Sequence, residues 1–272
     1  MLLALTRARI SIRRTGTLDE ATLAQMWALY EPHHNVDREE FQEKLATLDE
    51  VALFTLRSNR TLIGFCGLRH RLVELSAGGR VATLYMGLTY VTPEWRSVGL
   101  VQRVVLRRML GPLFSPRVDR VYFWADCLTF RPYLAMARNL REYYPSRERV
   151  TSDEAREVIA TLGRTYYGAS FDQQRGTVRK GVRRIAAHEA CVSAADLHDP
   201  DILFYLEQNR DFGRGDGLIA IFPMGVGNLV HLLGRQLRKV RSAARMPSPA
   251  AQEPGAVPEF GHGLRGVDAL RL

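Results

Sequence analysis

Hydrophobic and polar residues alternate along several stretches in the first half of the chain. Residues 51–57, 61–71 and 81–91 are rich in β-branched and aromatic residues and contain no proline, so each is expected to form a strand. The polar triplet 58–60 and the glycine-containing segment 76–79 separate these stretches and predict short turns. The pattern therefore predicts three consecutive antiparallel strands.

Apolar residues recur at helical spacing before these strands. Residues 19–30 and 37–48 carry apolar side chains three or four positions apart, which is the period of an amphipathic helix. Asp19 and Asp37 are suitable capping residues for the two helices, and Pro32 ends the first of them. The basic segment 9–13 precedes both helices and predicts a first strand.

The second half of the chain predicts a mixed order of elements. A strand at 121–127 is followed by a helix that begins after Pro132, since proline is favoured in a first helical turn. The other predicted elements are a helix from 152 to about 162, a strand at 184–192, a helix at 199–208, a strand at 217–223 and a helix at 228–241. Pro, Ala and Gly dominate from Met246 onward, so residues 242–272 are expected to be a disordered tail.

The charge balance favours anionic partners. The chain has 38 Lys and Arg residues against 29 Asp and Glu, a formal net charge of +9, which suits phosphates, an acidic protein, nucleic acid or anionic lipid. Cys66, Cys127 and Cys191 are odd in number and widely spaced, as is typical of free thiols in a reducing compartment. The apolar run at the N-terminus is too short for a signal peptide or a membrane span, so a cytoplasmic location is expected.

The segment 80–110 contains the clearest candidate site. A strand passes through a short turn at 96–101 into a helix that is expected to begin at Val98 or Gly99. Such a connection presents free backbone N–H groups and the positive end of a helix dipole at one point, which suits a phosphate or pyrophosphate. Gly99 allows close approach of the backbone, and Arg96 adds a positive charge.

This turn resembles the pyrophosphate loop of the GNAT superfamily of acyl-CoA N-acyltransferases. The family pattern is Arg or Gln, two variable residues, Gly, one variable residue, then Gly or Ala; the chain matches at Arg96 and Gly99 and departs at Val101. The preceding residues 91–96, VTPEWR, resemble the strand end of the family. The resemblance implies an α/β (α+β) fold with a central mixed, mostly antiparallel sheet of six to seven strands flanked by helices. It also implies one acyltransferase domain over 1–241, with an insert around 143–184.

The resemblance implies acyl-CoA as the co-substrate, with acetyl-CoA expected first. The donor-binding residues that it indicates are Val91, Arg96, Ser97, Val98, Gly99, Leu100, Val101 and Asp126. For Asp126, contact with the acceptor amine and capping of a turn are the alternatives. In the family the strands that correspond to 81–91 and 121–127 splay apart, and the acyl thioester enters between them. The helices after the first strand form part of the acceptor wall in the family, which places Tyr30, Glu31, His33 and His34 on the acceptor side. Tyr90, on the strand 81–91, is also assigned to the acceptor site.

Acyl transfer to an amine needs a polarised thioester carbonyl, a neutral amine and an acid for the leaving thiolate. The backbone at the end of the strand 81–91 is expected to face the carbonyl oxygen. Tyr133 is the acid candidate, because the family often has a Tyr there that is directed at the CoA sulfur; the alternative is a packed aromatic residue. Glu94 is the base candidate, with Thr89, Tyr90 and Glu31 as alternatives.

Two further chemistries are weighed and not favoured. Cys127 is a candidate for a covalent acyl intermediate, but no catalytic constellation supports it, and a small buried thiol is preferred. His33 and His34 are adjacent histidines without metal-ligand spacing, so a surface loop is preferred and no metal is predicted.

Two alternatives to a CoA-dependent acyltransferase stay open. Val101 and the basic segment 175–184 suit a longer acyl donor or one bound to an acyl carrier protein, although the segment is by default a solvated loop. A non-catalytic anion-binding protein ranks last, since the sequence has no helix-turn-helix or RNA-binding motif, and no nucleic acid partner is expected.

The basic helix 228–241 either lies on an anionic membrane or docks on the domain, and docking is favoured. The acceptor is an amine on a small molecule or a protein.

Overall fold

The computed structural model describes residues 7–76, 78–109 and 120–245. These residues form one sheet of eight strands in the order β1-β2-β3-β4-β5-β8-β7-β6. The strands are β1 (Ala8–Arg14), β2 (Glu50–Leu56), β3 (Leu62–Glu74), β4 (Arg80–Val91), β5 (Arg120–Cys127), β6 (Phe171–Asp172), β7 (Thr177–Val178) and β8 (Gly217–Pro223).

The sheet is mixed and mostly antiparallel. Every pair of neighbouring strands is antiparallel except β4 and β5, which are parallel. The predicted α/β fold class is therefore confirmed, although the sheet has one strand more than the upper limit of the prediction. The crossover from β4 to β5 runs through a helix, as a parallel pair requires.

Helices cover both faces of the sheet. Those of the described residues are α1 (Glu20–Tyr30), α2 (Arg38–Ala46), α3 (Leu100–Met109), α4 (Phe130–Ala137), α5 (Asp153–Tyr167), α6 (Pro200–Gln208) and α7 (Val226–Arg245). The side chains of Asp19, Asp37 and Ser152 accept hydrogen bonds from first-turn N–H groups of α1, α2 and α5, so these donors are satisfied at the helix starts.

Two hydrophobic layers result, one on each face of the sheet. The first layer packs the sheet against α3, α4, α6 and α7, and it includes Val104, Tyr133, Tyr205 and Leu232. The second layer packs the sheet against α1, α2 and α5. The side chains of β4 and β5 alternate between these layers, so a residue's position on either strand decides which helices it faces.

One predicted strand, at 184–192, is wrong. This segment is an irregular connection whose backbone bonds to the residues after α1: Asn35 N–H donates to Arg184 at 2.8 Å, and Ala186 N–H donates to His33 at 3.0 Å. The segment contains three alanines together with His and Glu, a composition with weak strand preference. The sheet is instead extended beyond β8 by the short strands β7 and β6, which the sequence pattern did not indicate.

Three predicted helix boundaries also change. The helix expected to begin at 98 or 99 begins at Leu100, and the helix expected after Pro132 begins at Phe130. The last helix begins at Val226 and continues to Arg245, so residues 242–245 are helical where a disordered tail was expected. The remainder of the predicted tail, 246–272, lies outside the described residues.

The last helix, α7, docks on the domain through part of its apolar surface. Leu232 is 2% exposed and Leu229 packs against the same layer, which agrees with the favoured docking arrangement. Val226, Val230 and Leu233 stay exposed. Among the described helices, none has the combination of length and hydropathy needed to cross a membrane. The three cysteines are free thiols, with Cys66 and Cys127 buried and Cys191 exposed.

Candidate active site

A cavity opens where β4 and β5 separate. The parallel ladder between the strands runs from the Val81–Arg120 pair to the Tyr85–Trp124 pair, and its described part ends there. Beyond that point, residues from the ends of both strands line a cavity of about 440 Å³. This opening corresponds to the splay that the family resemblance implies for the thioester.

A β-bulge in β4 shapes one side of the cavity. Two steps along β3, from 65 to 67, face three steps along β4, from Tyr90 back to Gly87. Leu88 has a φ of 44°, a left-handed conformation that is uncommon for a residue with this side chain. The bulge changes the alternation, so Tyr85 and Tyr90 both face the layer with α1 and α2, although a regular strand would place them on opposite faces. The extra residue of a bulge is left unpaired, which makes backbone groups at this point available to a ligand.

The turn after β4 closes one end of the cavity. Pro93–Val98 is a 3-10 helix, and Gly99 follows it with a φ of 79°, a conformation that glycine adopts without strain. The first residues of α3, Leu100, Val101 and Gln102, then line the cavity. The first N–H groups of a helix have no partner within the helix, so the start of α3 offers donors and a positive dipole end beside the cavity.

The predicted donor residues are only partly brought together. Val91, Arg96, Leu100 and Val101 line the cavity near this turn. Val98 and Gly99 are buried, and neither belongs to the described cavity wall. Ser97 lies in the same turn, but its side chain is outside the described set.

Arg96 is held by contacts within the protein. Its Nε donates to the Val91 carbonyl oxygen at 2.9 Å, and a terminal nitrogen lies 3.2 Å from Glu189. Arg131, on α4, contacts the same carboxylate. Burial alone would raise the pKa of Glu189, but the hydrogen bond and charge of Arg96, together with Arg131, lower it, so this carboxylate is ionised at neutral pH.

His33 and Tyr90 form a hydrogen-bonded pair in the cavity wall. The Tyr90 hydroxyl lies 2.7 Å from His33 Nε2, and the two rings stack with centroids 4.6 Å apart. Nδ1 of His33 lies 2.9 Å from Glu189 Oε1, at ion-pair distance but without hydrogen-bond alignment. Burial raises the pKa of Tyr90, although Arg96 opposes that effect. The three groups form a row in which Tyr90 and His33 share a hydrogen bond and Glu189 lies at ion-pair distance from the His33 ring.

The same region contains a group of residues with metal-ligand chemistry. Ligand atoms of His33, His188 and Glu189 lie within 4.8 Å of one another. Two guanidinium groups already contact Glu189, however, and His33 Nε2 is engaged by Tyr90. Positive charges this close disfavour a bound cation, so the arrangement fits an imidazole–carboxylate pair better than a metal site.

The predicted acceptor residues separate in the structure. Tyr30 is buried in the cavity wall and stacks on His34 with ring centroids 3.5 Å apart. Burial lowers the pKa of His34 to about 4, so this ring is neutral at physiological pH. Glu31 is exposed in the 3-10 helix Glu31–His33 and does not belong to the described cavity wall. Tyr90 lines the cavity.

Asp126, predicted as a donor residue, lies on the side of the sheet that carries α2. Its carboxylate accepts hydrogen bonds from Tyr85 at 2.7 Å, Tyr167 at 2.9 Å and Lys180 at 2.6 Å. Burial alone would raise the pKa of Asp126, but Lys180 and Lys44 and these hydrogen bonds lower it below its usual value. The carboxylate is fully engaged by protein groups, and it faces away from α3 and from the turn at Arg96–Gly99.

The two predicted catalytic residues lie away from the cavity. The Tyr133 side chain is fully buried, and its hydroxyl donates to the Pro145 carbonyl oxygen at 3.2 Å. Pro132 and Ala135 of the same helix line the cavity, so Tyr133 points to the other side of α4. Glu94 is exposed in the turn and is not part of the described cavity wall. The geometry therefore favours the packed-aromatic alternative for Tyr133.

Sequence reasoning missed four features of the cavity: the contacts of His33 with Tyr90 and Glu189, and the presence of Glu189, Lys44 and Lys180 in the wall. Glu189 and Lys180 come from the long segment after α5, and only the fold brings them to the cavity. Lys44 did carry a signal, since it is the only lysine in the first half of the chain and lies on the predicted acceptor wall. Because Lys44 lies one helical turn after Glu40, the two residues resembled an ordinary surface charge pair.

Comparisons with known proteins find no matching family model and no curated relative. Solved structures of N-acyltransferases are similar over about half of the chain. NAA60 of Arabidopsis thaliana in complex with acetyl-CoA aligns at 16% identity over 52% of this chain and 94% of that protein, with a TM-score of 0.34. An aminoglycoside 6'-N-acetyltransferase of Acinetobacter haemolyticus aligns at 15% identity over 52% and 95%, with a TM-score of 0.35.

A "probable N-acyltransferase" of Enterococcus faecalis V583 aligns at 14% identity over 50% of this chain, with a TM-score of 0.34. The match spans 33% of that protein, so most of its length has no counterpart in the alignment. The fold class of the present chain is established by its own strand order, its parallel β4–β5 pair and the opening between these strands.

Proposed function

We propose that the protein is an N-acyltransferase that moves an acyl group from acyl-CoA to an amine acceptor by direct transfer. The observation that carries the proposal is the opening between β4 and β5, with a bulge at Leu88 on one side and the Arg96–Gly99 turn at its end. These features correspond in order and position to the donor site that the sequence resemblance implies.

The opening suits an extended thioester donor. The donor's pantetheine arm lies between the strands, where backbone groups of β4 lack a partner on β5. Gly87, Leu88 and Thr89 line the cavity at the bulge, and an N–H group there donates to the thioester carbonyl oxygen. Donors fixed in this way stabilise the negative charge that develops on that oxygen. The start of α3 and the Gly99 turn then receive the pyrophosphate.

The Tyr90–His33–Glu189 chain supplies proton transfer. The acceptor nitrogen attacks the thioester carbon, the C–S bond breaks, and one proton passes from nitrogen to the leaving thiolate. Tyr90 lies beside the bulge and accepts the proton as His33 receives the hydroxyl proton through Nε2. Glu189, which is ionised, stabilises the positive charge on His33. The proton returns to the thiolate along the same path.

Acetyl-CoA is the first donor to test, and a longer acyl donor is the second candidate. The second candidate is favoured by an apolar end of the cavity, which is lined by Val105, Ala135, Met136, Leu140, Phe222 and Leu232. Val101, the position where the chain departs from the family pattern, is half-buried in the same wall. A carrier-bound donor shares the thioester and the pantetheine arm with CoA, so carrier-protein and CoA donors belong in the same assay.

The proposal is tested by thiol release from acetyl-CoA with a panel of amines. We expect His33→Asn and Tyr90→Phe each to lower kcat by about 10²- to 10⁴-fold, the range of a positioned acid–base group. Donor affinity should change little, because neither side chain belongs to the Arg96–Gly99 turn.

Tyr133→Phe is the matched control for Tyr90→Phe. It removes a hydroxyl from another buried tyrosine, but one that points away from the cavity. We expect kcat to stay within a few-fold of the unsubstituted protein. A large loss on Tyr133→Phe with little effect of Tyr90→Phe would reverse the assignment and restore Tyr133 as the acid.

A further inference from the structure

The acceptor side of the cavity holds more positive than negative charge. Lys44, Lys180 and Arg184 line this side, and the carboxylates that line it are Asp126 and Glu40. Lys180 contacts Asp126 at 2.6 Å, and Arg184 contacts Glu40. Each carboxylate therefore has a cation partner of its own, and one cation is left over.

Lys44 is the remaining cation. It lies on α2, and no described carboxylate oxygen lies within 4.0 Å of its ammonium group. The ammonium lies 5.4 Å from the ring centroid of Tyr85, whose hydroxyl bonds to Asp126. Burial lowers the pKa of Lys44, and Lys180 adds to that effect while Asp126 opposes it. A ligand with a negative charge would reverse this unfavourable environment.

Lys44 is half-buried, and a second cation, fully buried, lies behind this wall. Arg69 is 7% exposed, and its guanidinium packs over the rings of Tyr166 at 3.8 Å and Tyr85 at 4.8 Å. Its Nε has no hydrogen-bond partner among the described residues. Aromatic faces stabilise such a cation but do not neutralise it, so Arg69 adds a positive charge behind Tyr85, which lines the cavity.

Unbalanced buried charge is costly, and an opposite charge from outside relieves that cost. Of the two unneutralised cations, Lys44 is the one that lines the cavity. We propose that Lys44 binds an anionic group of the amine acceptor, so that the acceptors are amines that also carry a carboxylate or a phosphate. This inference rests on the proposed function and specifies its acceptor class.

The position of Lys44 also fits the direction of attack. Lys44 on α2 and Leu88–Tyr90 on β4 line the same cavity, so an acceptor anchored at Lys44 extends its amine toward the bulge. Asp126 does not compete for the acceptor ammonium, because Lys180, Tyr85 and Tyr167 already occupy its oxygens. The anion, rather than the amine, is then the group that the site recognises by charge.

The test compares matched amines that differ in the anionic group. Phenylalanine is paired with phenethylamine, and O-phosphoethanolamine with ethanolamine, in the acyl-CoA assay with the full chain. We expect the anionic member of at least one pair to have a kcat/KM higher by about 10- to 100-fold, the range of a charge-assisted contact in a sheltered site. The pair that shows the preference distinguishes carboxylate from phosphate.

Three variants assign the preference to Lys44. In Lys44→Met the ratio of kcat/KM between the anionic and the neutral amine of each pair falls toward one. In Lys44→Arg most of the preference for the anionic amine is restored. Arg38→Gln, which removes an exposed charge from the same helix, leaves the ratio unchanged. Circular dichroism and melting curves confirm that each variant is folded. Equal use of charged and neutral amines, or a preference that survives Lys44→Met, overturns the inference while the proposed function stands.

Binding measurements separate this inference from the proposed function. Calorimetry with CoA tests the donor site alone, and calorimetry with the four amines and with inorganic phosphate tests the acceptor site. If CoA binds but no transfer is detected, calorimetry with the amines still tests the inference. Lys44-dependent binding of the anionic ligands supports the inference, and the absence of such binding overturns it. If neither CoA binding nor thiol release is observed, the proposed function fails, and the acceptor inference fails with it.

Discussion

Asp126 keeps its negative charge in the interior because positive groups surround it. Lys180 makes direct contact, and Lys44 lies on the facing helix. An ionised carboxylate that is buried with a partner is not by itself a source of stability, but removal of one partner leaves the other charge without compensation. At the scale of single residues, a substitution that removes one member of this pair is therefore expected to be strongly destabilising.

We expect Asp126→Asn to lower the free energy of unfolding at pH 7 by about 3–5 kcal/mol, because Lys180 stays buried without its carboxylate. The double variant Asp126→Asn with Lys180→Met should recover part of this loss. Urea denaturation measures both. Asp153→Asn, at an exposed carboxylate paired with Arg156, is the control and should change stability by less than about 0.5 kcal/mol.

The same pair gives a pH dependence of defined sign. The pKa of Asp126 in the folded protein lies below the ordinary value of 3.8, so its contribution to stability is present above that value. It is lost as the pH falls toward the folded pKa. Unfolding measured from pH 7 to pH 3 should show a smaller acid-induced loss in the Asp126→Asn, Lys180→Met variant. An identical acid profile for both proteins would contradict the assignment.

The position at which α3 begins depends on the backbone conformation of a single residue, Gly99, in the turn after β4. Gly99 joins the 3-10 helix to α3 with a φ of 79°, and residues other than glycine meet a steric cost there. Because α3 starts at the next residue, a shift of this turn moves the helix N-terminus that faces the cavity.

We expect Gly99→Ala to weaken acyl-CoA binding by about tenfold or more and to destabilise the fold by about 1–2 kcal/mol, the cost of the left-handed conformation. Calorimetry and thermal melting measure the two effects. Gly78→Ala is the matched control, since Gly78 has a φ of 80° in the turn before β4 and no atom near an added Cβ. It should cost similar stability and leave donor affinity unchanged. Equal donor affinity in both variants would remove the turn from the donor site.

Local sequence patterns predicted most helices and strands. They did not predict the conformation of 184–192 or the side-chain direction of Tyr133, because both depend on tertiary contacts. The strands from 51 to 91 alternate clearly, and their predicted bounds differ from the observed ones by three residues at most. The stretch 184–192 lacks that alternation, and its conformation is fixed by distant partners at 33–35. Likewise, Tyr133 is correctly placed on a helix, but whether its side chain faces the cavity depends on the packing of α4 against α6.

At the scale of the whole molecule, the C-terminal helix completes the cavity. Leu232 of α7 lines its apolar end together with Phe222 of β8 and Met136 of α4. The sequence predicted that this helix docks, but its contribution to a cavity formed by β4 and β5 follows only from the sheet order, which places β8 beside β5.

We expect Leu232→Ala to destabilise the protein by about 2–5 kcal/mol, since it removes a buried side chain and leaves a void. The enlarged apolar end should also raise the relative activity with long-chain acyl donors. Val230→Ala, on an exposed position of the same helix, is the control and should have little effect on either quantity. Melting curves and rates with acyl donors of increasing length measure both. An unchanged chain-length preference would separate this end of the cavity from the acyl group.

The separation of β4 and β5 gives the sheet two edges in its interior. A free strand edge is normally an outer boundary, where it exposes the protein to pairing with strands of other molecules. Here residues of α3, α4 and the segment 184–189 line the cavity into which these edges open, so the edges lie inside the protein rather than at the boundary of the sheet. The protein can therefore keep backbone groups available for an extended guest molecule without presenting them as a template for aggregation.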